Sequence, residues 1–133
     1  MKTKGLSLIE LLVAAFIASF AIGATMICFS HVYYLSDLAK DTTVAVSDIR
    51  DMMEKIWSTP FEFIASNFPN GDADGPTDTE YNTIVGGYNL NNEHLRVDYT
   101  NPVADPLEIM ITCTWTDLRG RAQTMQLATF RTR

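Results

Sequence analysis

The sequence predicts an α+β fold in which a long N-terminal helix lays its second half on a small antiparallel sheet of three or four strands. Three observations carry this reading. Leu6 to Phe29 is apolar apart from Glu10 and a few small polar residues; Ser30 to Trp57 continues without proline or glycine; and the C-terminal third alternates apolar and polar side chains. In a chain of 133 residues, the stretch beyond the apolar run is too short for two independent cores. One anchor and one head is the simplest division.

The apolar run, about 24 residues, is long enough to cross a bilayer as a helix. Lys2 and Lys4 precede it and the next cation is Lys40, so the excess of positive charge at its start places the N-terminus in the cytoplasm and the remainder outside. A formal net charge of −6 with no lysine or arginine stripe argues against a nucleic-acid partner.

Beyond the run, Leu35, Leu38, Thr42, Ala45, Ile49, Met52 and Ile56 recur at spacings of three and four, which sets them on one stripe of a helix. Asp37, Asp41, Asp48, Asp51 and Lys55 are expected off that stripe, in solvent, and Met52 and Met53 are core candidates. One helix from about Leu8 to Trp57 would span roughly 75 Å at 1.5 Å per residue. It should stop near Ser58, because Pro60 disfavours helical geometry at the residue before it. Thr59, Pro60 and Glu62 match a new helix start, with Thr59 as N-cap and Glu62 closing a capping box, for a short helix through about Ala65.

Asn67 to Thr83 holds Pro69, Gly71, Gly75 and Pro76 among Asp, Asn and Thr, and reads as an exposed loop with little buried. Strand signals are Ile84-Val85, then Leu95, Val97 and Tyr99. The clearest is Leu107 to Trp115, with Leu107, Ile109, Ile111, Cys113 and Trp115 on one face. Asp117 to Arg121 supplies a turn, and Ala122 to Phe130 returns as the partner strand. Cys28 belongs to the apolar run and Cys113 to a strand, so a bridge would require the head to fold back to the membrane. Both are expected to be free, Cys28 as a small apolar helix residue and Cys113 in the sheet core.

At Gly5-Leu6-Ser7-Leu8-Ile9-Glu10-Leu11-Leu12-Val13-Ala14 the sequence resembles the signal of type IV prepilins and type II secretion pseudopilins. Leu6 stands where phenylalanine is most common in that family. The resemblance implies a pilin-like α+β fold, a leader over residues 1–5, a membrane and filament-core helix over 6–29, and a periplasmic head over 30–133. It further implies cleavage between Gly5 and Leu6 by a prepilin peptidase, methylation of the Leu6 amine, and assembly with other pilin or pseudopilin subunits from the inner membrane. Losing Lys2 and Lys4 would leave eight of the ten Lys and Arg against sixteen Asp and Glu. The matching glutamate, Glu10, is implied to pair with the N-terminal amine of a neighbouring subunit. Physics suits that role: a wrong axial offset would leave both charges unpaired in hydrocarbon. The plainer reading of Glu10 is a carboxylate near a helix N-terminus, favoured by the dipole.

Trp115-Thr116-Asp117, Gly120-Arg121 and Thr129-Phe130-Arg131-Thr132 resemble the C-terminal hairpin of minor pilins of the pilus-modification type and of minor pseudopilins. A tryptophan before a tight turn is also ordinary hairpin core. Major pilins often add a disulfide-closed C-terminal loop, which a lone Cys113 cannot make, so an initiating or tip subunit is expected.

Asp72, Asp74, Asp78 and Glu80 share the Gly/Pro loop, where carboxylates bind calcium or simply suit turns; the spacing is not that of an EF-hand, and a solvated turn is the simpler reading. His31 and His94 stand too far apart for a metal cluster, and no nucleophile elbow or phosphate-binding loop occurs. No catalytic residue, metal or cofactor is expected. Two other classes fit the composition. One is a bitopic inner-membrane protein with a periplasmic binding domain. The other is a protein secreted after cleavage at Ser19-Phe20-Ala21, disfavoured because the run is long for a conventional signal and carries Glu10 near its start.

Overall fold

The computed structural model describes residues 7–77 and 79–133, with α1 (Leu8–Ser58), α2 (Phe61–Asn67), α3 (Glu80–Ile84), β1 (His94–Tyr99), β2 (Leu107–Thr116) and β3 (Ala122–Arg131) in chain order. It is an α+β arrangement, a long N-terminal helix and a three-stranded antiparallel sheet of order β1-β2-β3. The chain divides into two units, Met1–Asp37 and Leu38–Arg133.

In the first unit α1 is apolar on every side and exposed on every side. Its apolar stretch of 18 residues has no buried residue, and the helix is long and apolar enough to cross a membrane. The hydroxyls of Ser19 and Thr25 donate to Ala15 O and Ala21 O one turn back, at 2.8 and 2.7 Å. Neither would enter hydrocarbon unpaired.

In the second unit α1 becomes one-sided. Ala45, Ile49, Met52 and Ile56 are buried, Met53 packs at the margin, and each large side chain removed from water contributes about 1.5–3 kcal/mol. The predicted stripe is shorter than expected, for Leu38 and Thr42 are half-buried and Leu35 is 60% exposed. Asp48 also departs from expectation: it is buried rather than solvated, because it stands three residues after Ala45 and four before Met52, at the edge of the same stripe.

The sheet meets that stripe with the face the alternation predicts. Leu95, Val97 and Tyr99 of β1 and the five odd-numbered residues Leu107 to Trp115 of β2 are buried. Register places Leu95 opposite Cys113 and Val97 opposite Ile111, and antiparallel partners share a face. β3 runs one residue further than expected, to Arg131, and none of its ten residues is buried. The β2–β3 turn forms on Asp117, whose buried carboxylate accepts the N–H groups of Arg119 and Arg121 at 2.9 and 2.8 Å. Gly120, at φ +74, takes the left-handed position.

Three local expectations fail for physical reasons. Thr59 does not cap α2; its hydroxyl donates to Lys55 O at 2.9 Å, satisfying a carbonyl at the end of α1, and α2 starts at Phe61 with no side-chain cap and extends to Asn67. Ile84-Val85 is not a strand. Ile84 ends the short helix α3 and Val85 is its cap, because Tyr81, fully buried and tilted against Phe68 at 6.0 Å between ring centroids, anchors that turn in the core. Nor is the preceding loop wholly exposed. Gly71 N–H and Asp74 N–H donate to Val97 O and Leu95 O at 2.9 and 2.7 Å, which draws Asp74 inward.

Candidate assembly helix and buried carboxyl groups

Glu10 sits in the first turn of α1, where unpaired backbone N–H groups and the helix dipole favour a negative charge. Its Oε2 accepts the Ser7 N–H at 2.8 Å, while Leu11 N–H donates to Ser7 O at 3.1 Å to close the turn. The carboxylate therefore has a partner within its own chain. Around it Leu8, Ile9, Leu11 and Leu12 are all well exposed, a continuous apolar surface suited to lipid or to other such helices. Gly5 and Leu6, the predicted processing residues, lie outside the described residues.

No family model, curated protein or solved structure matches the chain.

Three ionisable groups that the composition does not single out converge inside the head. Asp48 on α1 meets Glu93, which precedes β1, and both are buried. Burial first, then the contact with Glu93 and the nearby charge of Asp51, raises the Asp48 pKa from 3.8 to about 7. A carboxylate facing a carboxylate has no donor, so the contact closes only when a proton sits between them. Glu93 Oε2 accepts the N–H groups of Asn89 and Leu90, each at 2.9 Å, and its Oε1 lies 3.8 Å from the Cys113 Sγ–H that donates to it. Burial, with the Glu93 charge added, pushes the Cys113 thiol up to about 12. Cys113 is thus a protonated, inert core residue in the sheet, as expected, and Cys28 is an exposed free thiol on α1.

Of the loop carboxylates considered for calcium, Asp74 is committed elsewhere. Its Oδ1 accepts the Tyr88 hydroxyl and the Leu95 N–H (3.0 Å), and His94 Nδ1 lies 2.6 Å from its Oδ2. Burial alone would raise its pKa, but these three bonds outweigh that and hold it below the usual value. Glu80 Oε2 accepts the Thr77 N–H at 2.8 Å. Gly75, at φ +93, leaves no room for a Cβ, which would lie 2.9 Å from the Glu80 carboxylate. Asp78 lies outside the described residues. Among the described residues no group of three or more His, Cys, Asp or Glu is placed to hold a metal ion. Asp74 ties the loop to β1, while Glu80 bonds within the loop. His94 is therefore less isolated than its spacing suggests, and the only sequence hint of this is its position at a strand start opposite an Asp-rich turn.

Proposed function

We propose that the chain is a structural subunit of a type IV pilus or type II secretion pseudopilus, a minor pilin or minor pseudopilin. A prepilin peptidase would process it between Gly5 and Leu6, and it would assemble from the inner membrane through α1, with its head in the periplasm. The single observation that carries this reading is the Gly5-to-Ala14 motif at the start of a helix that is apolar all round and continues unbroken into the amphipathic helix of a small α+β head. A purely apolar helix stores the subunit in lipid and then packs against like helices. Association there rests on close packing, and Glu10 supplies the axial register. On entry to the filament the Glu10 carboxylate exchanges the Ser7 N–H of its own chain for the charged amine of a neighbour.

The test is the mass and N-terminal sequence of the mature protein from membranes of its native host. A start at N-methylated Leu6 is expected; an intact Met1 would overturn processing. One observation favours a second reading, a bitopic membrane protein that never assembles: Glu10 already has a hydrogen-bond partner in Ser7 and does not require another subunit. Glu10→Ala separates the two. Filament incorporation should fall with the head still folded, and normal incorporation would sink the register role.

A further inference from the structure

The two borders of the sheet are unlike. β1 is closed on its outer side by the preceding loop, through Gly71 N–H to Val97 O (2.9 Å), Asp74 N–H to Leu95 O (2.7 Å) and Tyr99 N–H to the Asn70 side chain (2.8 Å). β3 pairs along its whole length with β2. Among the described residues, no backbone group bonds its other side. Alternate N–H and C=O groups of a ten-residue strand are therefore left facing outward.

The core face also runs out beyond its cover at this border. Register puts Met125, Leu127 and Thr129 on the same face as the buried row of β2, yet Leu127 is 44% exposed. At the C-terminal end of β3 the Arg131 guanidinium lies 5.9 Å from the ring of Trp57, itself 53% exposed. Beside Trp57, Met53 lines a shallow recess of about 260 Å³ on α1, bordered by Arg50 and Glu54. A free edge and an apolar ledge thus lie together.

Charge selects the occupant. From Asp117 to Arg133 the one acidic side chain is Asp117, paired with Arg121 at 3.1 Å, against four arginines, Arg119 and Arg121 before β3 and Arg131 and Arg133 at its end, where Arg131 also donates to Ile56 O at 3.2 Å; this stretch is basic in a chain whose net charge is −6. Ala122 to Phe130 between them is uncharged. A second copy pairing antiparallel through β3 would bring arginine ends against arginine ends, a repulsive arrangement for adjacent strands. An extended acidic segment avoids that repulsion.

We infer that the outer edge of β3 is a strand-accepting site for an extended segment of a different protein, acidic overall and apolar at alternate positions. The added strand takes the outward N–H and C=O groups of β3, lays its apolar side chains over Leu127 and the ledge, and places its carboxylates near the arginine ends. The site belongs to the head alone and is independent of filament assembly.

The experiment uses the full chain in detergent micelles and synthetic peptides of about nine residues, matched to the strand, that alternate valine with glutamate or valine with lysine. The glutamate peptide should bind at least about tenfold more tightly than the lysine peptide, lose affinity with added salt, and be weakened by Gln126→Glu on the exposed face of β3. Because an isolated strand binds weakly, the same glutamate segment is also appended after Arg133 through a flexible linker, raising its effective concentration to the millimolar range. In that protein the outward amides of β3 should become protected from hydrogen exchange. No added protection in the tethered protein, equal affinity for the two peptides, protection at β1 instead, or self-association of the unmodified chain through β3 would each overturn the site.

Discussion

Asp48 and Asp74 are both buried in the head, at 4% and 8% exposure, yet their surroundings drive their protonation apart. Burial, and then the facing Glu93 carboxyl, raises the Asp48 pKa, whereas Asp74 gathers three donors that outweigh its burial and its pKa falls. Their contributions to stability therefore change with pH in opposite directions. Between 3.8 and about 7 the folded protein holds the Asp48 proton and the unfolded chain does not. Folding stability accordingly falls as pH rises across that window, by at most about 1.4 kcal/mol per pH unit. Asp74 acts the other way: its contribution is present above the unfolded value and is lost as pH falls through the lower folded one. Asp48→Asn should flatten the decline, most visibly between roughly pH 4 and pH 7, and stabilise the head at the alkaline end of that range; thermal unfolding across pH reads this directly, and an unchanged slope would remove Asp48 as its source. Neither residue is legible as a buried group from composition. Asp48 lies at the border of the apolar stripe, where helical spacing alone does not decide between core and solvent, and Asp74 sits in a stretch whose Gly, Pro and Asp content masks its bonds to β1.

At the scale of single elements, the amphipathic half of α1 and the β2–β3 hairpin hold the head. Ile49→Ala empties a position that is 1% exposed and should cost about 2–5 kcal/mol, whereas Leu35→Ala, on the exposed part of the predicted stripe, should stay within about 0.5 kcal/mol. Chemical denaturation of the two variants makes the comparison. Asp117→Ala strips the hairpin tip of an acceptor for two backbone N–H groups, and a loss of about 2 kcal/mol is expected, with the hairpin amides exchanging faster. The strands are legible in the sequence because the alternation along Leu107 to Trp115 leaves one face unambiguous. Ile84-Val85 misleads because two apolar residues have no period, and the buried ring that decides their helix, Tyr81, acts through tertiary packing. Thr59 stands between two helices, and its hydroxyl serves the carbonyl of the first in place of the amides of the second.

For the molecule as a whole, the buried core among the described residues begins at Ala45, so the apolar first part of α1 contributes nothing to the core of the head. Glu10→Ala should leave the unfolding temperature of the head unchanged, within about 1 °C, while abolishing whatever assembly the helix directs; a shift of several degrees would tie the two units energetically. The division into an apolar helix and a small sheet is legible from hydropathy and periodicity. The assembly role proposed for Glu10 rests only on the motif around it, since a carboxylate in a first helical turn has an ordinary local explanation in the Ser7 N–H. The contrast between the two sheet borders has a consequence for valency. With β1 sealed by its own loop, a strand taken up at β3 gives one partner per head, a capped pair instead of a ladder of heads joined edge to edge. A head built in this way would fix a one-to-one stoichiometry with that strand-donating partner.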